Sequence, residues 1–358
     1  HLGVPPLPRP HPRLLPGLTP PHPAGHPPDG PPPSKPPAPA GADNGMTSWG
    51  EAAIVVTAAC CCAESPNASG VSKSEVSRIC AGLDREIEAF RTRSLAHTQF
   101  PYVFADATFC KVRVGAHVVS QALVVATGVS IDGTREVLGT AVGDSGSYEV
   151  WREFLASLKA RGLSGVHLVI SDAHSGLKSA VAQQFSGSSW QRCRVHFMRN
   201  LHTAVAAKHA PAVTAAVKTI FAHTDPEEVA AQWDRVADTL AGSFPKVAAM
   251  MAEAKTDVLA FTAFPPAHWQ KIWSNNPIER LNKEIKRRAD VVEIFPNPAA
   301  FLRLATAVVI EAHDEWQVTR RYLSDVSMEE LRAVIAAKHA AASGCQTTPN
   351  RLAFNTTR

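Results

Sequence analysis

Three acids occupy positions where a carboxylate is costly unless something compensates it. Asp106 interrupts an apolar run, Tyr102 to Phe109, that otherwise reads as a strand. A carboxylate in such surroundings costs several kcal/mol unless a cation or hydrogen bonds balance it. Asp172 ends the apolar run Gly165 to Ile170, at the carboxyl end of a buried strand, where open sheets place their ligand sites. Glu279 stands in the first turn of a helix that opens at Asn276-Pro277. Each acid also has a plain structural role open to it. Asp172 can cap the following helix and Asp106 can be a strand-edge acid. With Asn276 as N-cap and Pro277 at N1, Glu279 at N3 can close a capping box. Gathered in one pocket, the three carboxylates would repel one another, and hard divalent cations with oxygen preference relieve that repulsion.

Arg280, Lys283, Lys286, Arg287 and Arg288 crowd the turns after Glu279, a density of positive charge suited to a phosphate backbone. Lys286 lies two helical turns from Glu279 and so on its face. Cys193 and His196 form a Cys-x-x-His spacing. Structural zinc wants four ligands, and no second Cys/His pair lies at suitable spacing. If residues 190–196 are a strand, positions 193 and 196 point to opposite faces and share no ligand unless the strand ends between them. His196 is assigned to the edge of the carboxylate pocket, steering DNA or a hydroxyl. Trp269 and Trp273 have either a base-stacking role near that pocket or a place in the core.

Positioning these groups requires a recognisable order of elements. Ser72 to Glu75 fits a capping box, and Val76, Ile79, Leu83, Ile87 and Phe90 follow at helical spacing, predicting a helix near 73–93. It is either a surface helix packed on the core or the last helix of a helix-turn-helix DNA reader. Strands are expected over 102–109, within 112–130 and over 136–142. A helix carrying Trp151, Phe154, Leu155 and Leu158 then stops at Gly162. A buried strand at 165–170, a helix at about 176–185 and a strand at 190–196 complete the set. Three strands, helix, strand, helix, strand is the order of a ribonuclease-H-like mixed α/β sheet flanked by helices. Its first and fourth strands are neighbours, which brings Asp106 and Asp172 together. An all-helical insertion at about 201–272 separates this sheet from the helix of Glu279.

The remaining sequence bounds the molecule. In a chain of 358 residues, 45% hydrophobic and 19% charged, the composition is that of an ordinary globular protein. The net charge of +4 means that affinity for polyanions must come from local basic clusters. Seven scattered cysteines argue for a reducing cytosol over a disulfide framework. No apolar stretch is long enough to span a bilayer, so no membrane partner is expected. Residues 1–45 hold most of the 28 prolines and are expected to be disordered. The chain opens on His1, and Met46 sits where the composition normalises. That is the pattern of translation running upstream of a start or through a damaged frame; a Pro-rich interaction arm is the other reading.

Several stretches together resemble the Mutator-like transposases of bacterial insertion sequences. They are Asp106-Ala107-Thr108-Phe109-Cys110-Lys111-Val112-Arg113, Gly133-Thr134-Arg135-Glu136-Val137-Leu138-Gly139, and Ile170-Ser171-Asp172-Ala173-His174-Ser175-Gly176-Leu177. They continue with Trp190 to Asn200, with Asn276-Pro277-Ile278-Glu279-Arg280-Leu281-Asn282-Lys283-Glu284-Ile285-Lys286-Arg287-Arg288, and with Asp314-Glu315-Trp316-Gln317. The likeness runs from about Gly70 to Ser324. It implies a ribonuclease-H-like catalytic domain at 99–325, with catalytic and metal-binding roles on Asp106, Asp172 and Glu279. It carries the family's Cys-x-x-His signature onto Cys193 and His196. Two ions, Mg²⁺ or Mn²⁺, are the implied cofactors for cleaving a phosphodiester and joining the freed 3′ end to a target. The implied partners are double-stranded DNA, as element ends and target, and further copies of the chain. The implied location is the bacterial cytoplasm, on the nucleoid.

Two departures from the family pattern stand out. Gly146 replaces an acid usual after Asp144-Ser145. Residues 46–98 retain, beyond the helix near 73–93, no recognisable DNA-reading region, and 326–358 read as a C-terminal tail. The expectation is therefore a copy that binds DNA without recognising its own element's ends. A decayed copy that only binds DNA is the alternative to the enzyme.

Overall fold

The structure is a computed structural model that describes residues 73–144 and 147–344. The Pro-rich segment, the cysteine run at 60–62, Ser72 and Gly146 lie outside these residues. Strands β1 (Tyr102–Val114), β2 (His117–Val129) and β3 (Arg135–Asp144) form an antiparallel meander. The expected second strand at 112–130 is interrupted at Gly115, whose φ of 60° turns the chain into a hairpin, so Val112 to Val114 finish β1 instead. Helix α1 (Lys73–Thr92) precedes the sheet. After β3 come α2 (Tyr148–Ala160), β4 (Leu168–Ser171), α3 (Ser175–Gln184) and β5 (Ser189–Arg192). The sheet order is β3-β2-β1-β4-β5, with β4 and β5 parallel to β1, the mixed ribonuclease-H-like arrangement.

The two-residue period of the strands sorts their side chains into two layers. Tyr102, Phe104, Leu123, Val125, Leu168 and Ile170 face one core. Val103, Ala105, Val124, Ala126 and Val169 face the other, against Trp151, Phe154 and Leu158 of α2. Asp106 and Asp172 continue the parity of the first set, so both point toward the first core. That core is roofed by α9 (Asn276–Ala289) and α10 (Pro298–Val318).

Between β5 and α9 the chain is helical: α4 (Arg194–Thr203), α5 (Ala210–Ile220), α6 (Pro226–Ala241), α7 (Pro245–Val258) and the short α8 (Trp269–Ile272). Buried Gln191 of β5 anchors the return of this segment: its amide donates to the Val258 carbonyl at 2.8 Å, and its oxygen accepts the Phe261 N–H at 2.7 Å. A short β6 (Ile294–Phe295) pairs with the far end of β1, and α11 (Asp325–Gly344) closes the described chain. The Gly133 motif has a packing reason. A Cβ there would lie 2.4 Å from the Leu323 carbonyl, and the Gly133 carbonyl accepts the Leu323 N–H at 3.0 Å.

Helix α1 packs on the core. Leu83 and Ile87 meet Ile310 of α10, and the Arg303 guanidinium clasps Asp84 with bonds of 2.8 and 2.9 Å. Among the described residues no helix is long and apolar enough to cross a membrane.

Candidate active site

The β1–β4 register is what gathers the acids. Tyr102 pairs with Leu168, Val103 with Val169 and Phe104 with Ile170; the pairing ends there, and Asp106 and Asp172 each follow two residues beyond the last pair. Neither acid has the plain role open to it. β1 lies in the middle of the sheet, not at an edge. The cap of α3 is His174, whose Nδ1 accepts the Leu177 N–H at 3.3 Å, while the Asp172 carboxylate accepts the neighbouring Ala173 N–H at 2.6 Å.

The capping box expected at α9 does not form. The helix begins one residue early, with Asn275 as N-cap, so Glu279 falls at N4. Asn275 makes no side-chain cap bond, because its amide donates to the Ala105 carbonyl at 3.2 Å, beside Asp106. Its own N–H points at the Cys193 sulfur at 3.2 Å. Thus the start of α9 is stitched to β1 and to the end of β5, which fixes where Glu279 stands. Glu279 Oε1 is buried without a hydrogen-bond partner.

Strand β5 stops at Arg192, four residues earlier than expected, and His196 lies in the first turn of α4 with Cys193 as its N-cap. The expected opposition of positions 193 and 196 therefore fails: three residues apart at a helix start, they share a face. His196 stands beside the Cys193 sulfur, with their ligand atoms within 4.8 Å of one another. Its Nε2 lies 3.4 Å from Glu279 Oε1 and its Nδ1 lies 3.8 Å from Asp172 Oδ1. The Cys193 sulfur, with the charges of Asp172 and Glu279 behind it, pushes the imidazole up to about 9. Burial raises the Asp106 carboxyl to about 6, although the Ala107 backbone bond, His196 and Asn282 favour its ionised form.

Asn282 is the residue that reading along the sequence missed. Its amide donates to Asp106 Oδ2 at 2.8 Å from the buried face of α9. The available signal was a lone polar residue within the stripe Ile278, Leu281, Ile285 and Ala289. Trp269 is core, its indole N–H donating to the Phe264 carbonyl at 2.8 Å; the Trp273 ring is covered by the Arg194 guanidinium at 3.7 Å.

The basic residues of α9 divide between two flanks. Lys283 and Lys286 are exposed on the flank of Glu279. On the other, Arg287 and Arg288 bind Glu284 at 2.7–2.9 Å, and Arg288 also binds Glu311 of α10 at 2.8 Å. The Arg288 side chain is only 14% exposed. Arg280 opens onto a cleft of about 540 Å³ beside Arg135, Trp316 and Tyr322.

A carboxylate pocket with one oxygen orphaned and another acid whose ionised form is disfavoured by burial fits hard divalent cations, which prefer oxygen ligands. Residues 62–319 match the family model of "Transposase, Mutator family". The chain belongs to that family. It is 45% identical over 286 residues to the transposase for insertion sequence element IS1081 of Mycobacterium tuberculosis, covering 80% of this chain and 68% of the relative. Against the ISRM5 transposase of Rhizobium meliloti it is 36% identical over 261 residues, covering 73% and 65%. Against the IS256 transposase in transposon Tn4001 of Staphylococcus aureus it is 37% identical over 257 residues, covering 71% and 66%. The chain thus spans about two thirds of the length of these relatives.

Proposed function

We propose that this chain cuts and joins DNA as the transposase of an insertion sequence, through a centre made of Asp106, Asp172 and Glu279. The observation that carries this reading is the convergence of the three acids: Asp106 and Asp172 each lie two residues beyond the last β1–β4 pair, Asn282 of the Glu279 helix binds Asp106, and His196 lies between Asp172 and Glu279, whose Oε1 is orphaned. When bound, two Mg²⁺ or Mn²⁺ ions supply charge stabilisation of the attacking and leaving oxygens during in-line displacement at phosphorus. Asp106, Asp172 and Glu279 would hold them. In cleavage a water oxygen displaces the 3′ oxygen of the strand, which leaves as a hydroxyl. In joining, that hydroxyl displaces a 3′ oxygen of the target, so bonds are exchanged without a covalent protein intermediate.

The other side chains orient this set. Asn282 donates to Asp106 Oδ2 and so fixes the orientation of that carboxylate. His196 stands between Asp172 and Glu279 and holds their spacing. Lys283 and Lys286 bind DNA phosphates beside the cut, with Arg280 at the neighbouring cleft; Arg287 contributes after exchanging Glu284 for phosphate, and Arg288 is structural. Residues 99–325 act as the catalytic domain with 201–272 inserted. The protein works as an oligomer on double-stranded DNA, element ends and target, in a bacterial cytoplasm.

Oligonucleotide assays test this with uncut and precut element ends in Mg²⁺. Asp106→Asn, Asp172→Asn and Glu279→Gln should each abolish both cleavage and strand transfer while the fold persists. Full activity in any one of them would remove that residue from the centre.

A further inference from the structure

Beside the carboxylate pocket lies a second donor set of different chemistry. A thiol, an imidazole and a carboxylate, from Cys193, His196 and Glu279, present ligand atoms that all lie within 4.8 Å of one another. They come from the two helix starts, α4 and α9, that the Asn275 N–H to Cys193 sulfur bond holds together. Sulfur, nitrogen and oxygen at such spacing are what a tetrahedral borderline-soft ion takes, with one position left for a solvent molecule. Further features fit. Glu279 Oε1 and His196 Nδ1 are buried without hydrogen-bond partners. The imidazole turns Nε2 toward Glu279 at 3.4 Å and Nδ1 toward Asp172 at 3.8 Å, so that a small approach of Asp172 would back a metal-bound histidine with a carboxylate. The His196 and Glu279 side chains are 19% and 29% exposed, giving an ion a path to the buried sulfur.

We infer that Cys193, His196 and Glu279 form an inhibitory site for a thiophilic divalent cation such as Zn²⁺, distinct from the Mg²⁺ centre but sharing Glu279 with it. Binding releases two protons to solvent, the Cys193 thiol proton and the second imidazole proton of His196, so that thiolate and neutral imidazole are both ligands. It also withdraws Glu279 from Asp106 and Asp172, and the two metal states exclude one another. Mg²⁺ does not compete for this site, because it prefers oxygen ligands and near-octahedral geometry. The inhibition rests on the catalytic reading of Glu279; the binding does not.

Cobalt reports on the site without activity. Titrating the full chain with Co²⁺ should give a thiolate-to-cobalt charge-transfer band that saturates at one ion per chain. Cys193→Ser should lose that band, and Glu279→Gln, which leaves the sulfur in place, should weaken Co²⁺ binding at least tenfold. Asp106→Asn should keep the band. An absent band in the wild type, a band that survives Cys193→Ser, or one lost in Asp106→Asn overturns the site. Zn²⁺ equimolar with the chain should lower Mg²⁺-supported cleavage at least tenfold, and a zinc-selective chelator should restore it. The expected band with undiminished cleavage in Zn²⁺ overturns the inhibition. If Glu279→Gln itself cleaves normally, the catalytic reading fails while the cobalt result stands.

Discussion

The two long sides of α9 differ in how their charges are answered. Facing the sheet, Glu279 has an orphaned oxygen, and Asp106 opposite it is pushed up to about 6 by burial. Facing outward, Glu284 is satisfied by Arg287 and Arg288 and held down to about 2, its hydrogen bond from Arg287 being the largest cause. One side shares a single cation, His196, between Asp172 and Glu279, while the other gives Glu284 two arginines. A site built to bind cations must leave its carboxylates short of partners, and the protein without metal bears the cost. On the basic flank the converse holds: an arginine paired with glutamate must give up that partner before it can meet a phosphate.

Four measurements can break or sharpen this contrast. The largest effect is expected from Glu279→Gln, which should lower cleavage about 10³-fold or more, an effect of the size seen when a group that stabilises transition-state charge is removed. Glu284→Gln on the outer side should leave the rate within about tenfold of the wild type. Equal losses in the two variants would erase the distinction between the sides.

Next comes stability, where the two sides should respond with opposite sign. The folded state raises the Asp106 carboxyl from 3.8 to about 6, so it favours the protonated form. That stabilisation is fully present below about pH 4 and is lost as pH rises through about 6. At pH 8 without metal, Asp106→Asn should therefore raise the unfolding free energy by about 2–3 kcal/mol, at roughly 1.4 kcal/mol per pKa unit. Arg288→Gln should lower it by about 1–3 kcal/mol, since Glu284 and Glu311 lose charged hydrogen bonds. Denaturant titrations of both variants at pH 5 and pH 8 decide this; a destabilised Asp106→Asn at pH 8 would contradict the burial account of Asp106.

Asn282→Leu should weaken the activating Mg²⁺ affinity about 10–100-fold, the range for residues that orient a ligand. Activity measured against Mg²⁺ concentration should then recover at high Mg²⁺. A loss that excess Mg²⁺ cannot restore would give Asn282 some other role.

The smallest effect separates the cations. Changing both Lys283 and Lys286 to Gln should weaken DNA binding on all sequences and flatten the log–log salt slope by about 2, near one unit per phosphate contact. Arg288→Gln should leave that slope unchanged. A slope that falls by about one unit with Arg288→Gln would mean that its pairing with glutamate opens on DNA.

Much of this molecule was decided along the chain itself. Alternating side chains and Gly-punctuated apolar runs are local signals, so the order of strands and helices, and the sheet they make, could be read from spacing alone. Asp106 and Asp172 were conspicuous for the same reason: an acid in an apolar strand breaks a period of two. The ordered motifs, matched to a family, were likewise properties of the sequence. What only the tertiary structure decided concerns partners far apart in the chain. The bond from Asn282 to Asp106 spans 176 residues, and no periodicity encodes it. The N-cap position fell on Asn275, whose side chain leaves the helix uncapped because it reaches the Ala105 carbonyl on another element. Strand β5 ended at Arg192 because α4 begins there against α9, which turned Cys193 and His196 from opposite faces to one. The basic run of α9 split into free and paired cations because Glu284, and Glu311 from α10, reach only one flank. Local pattern follows from backbone geometry over a few residues. Which charges are left unanswered follows from what the fold packs against them.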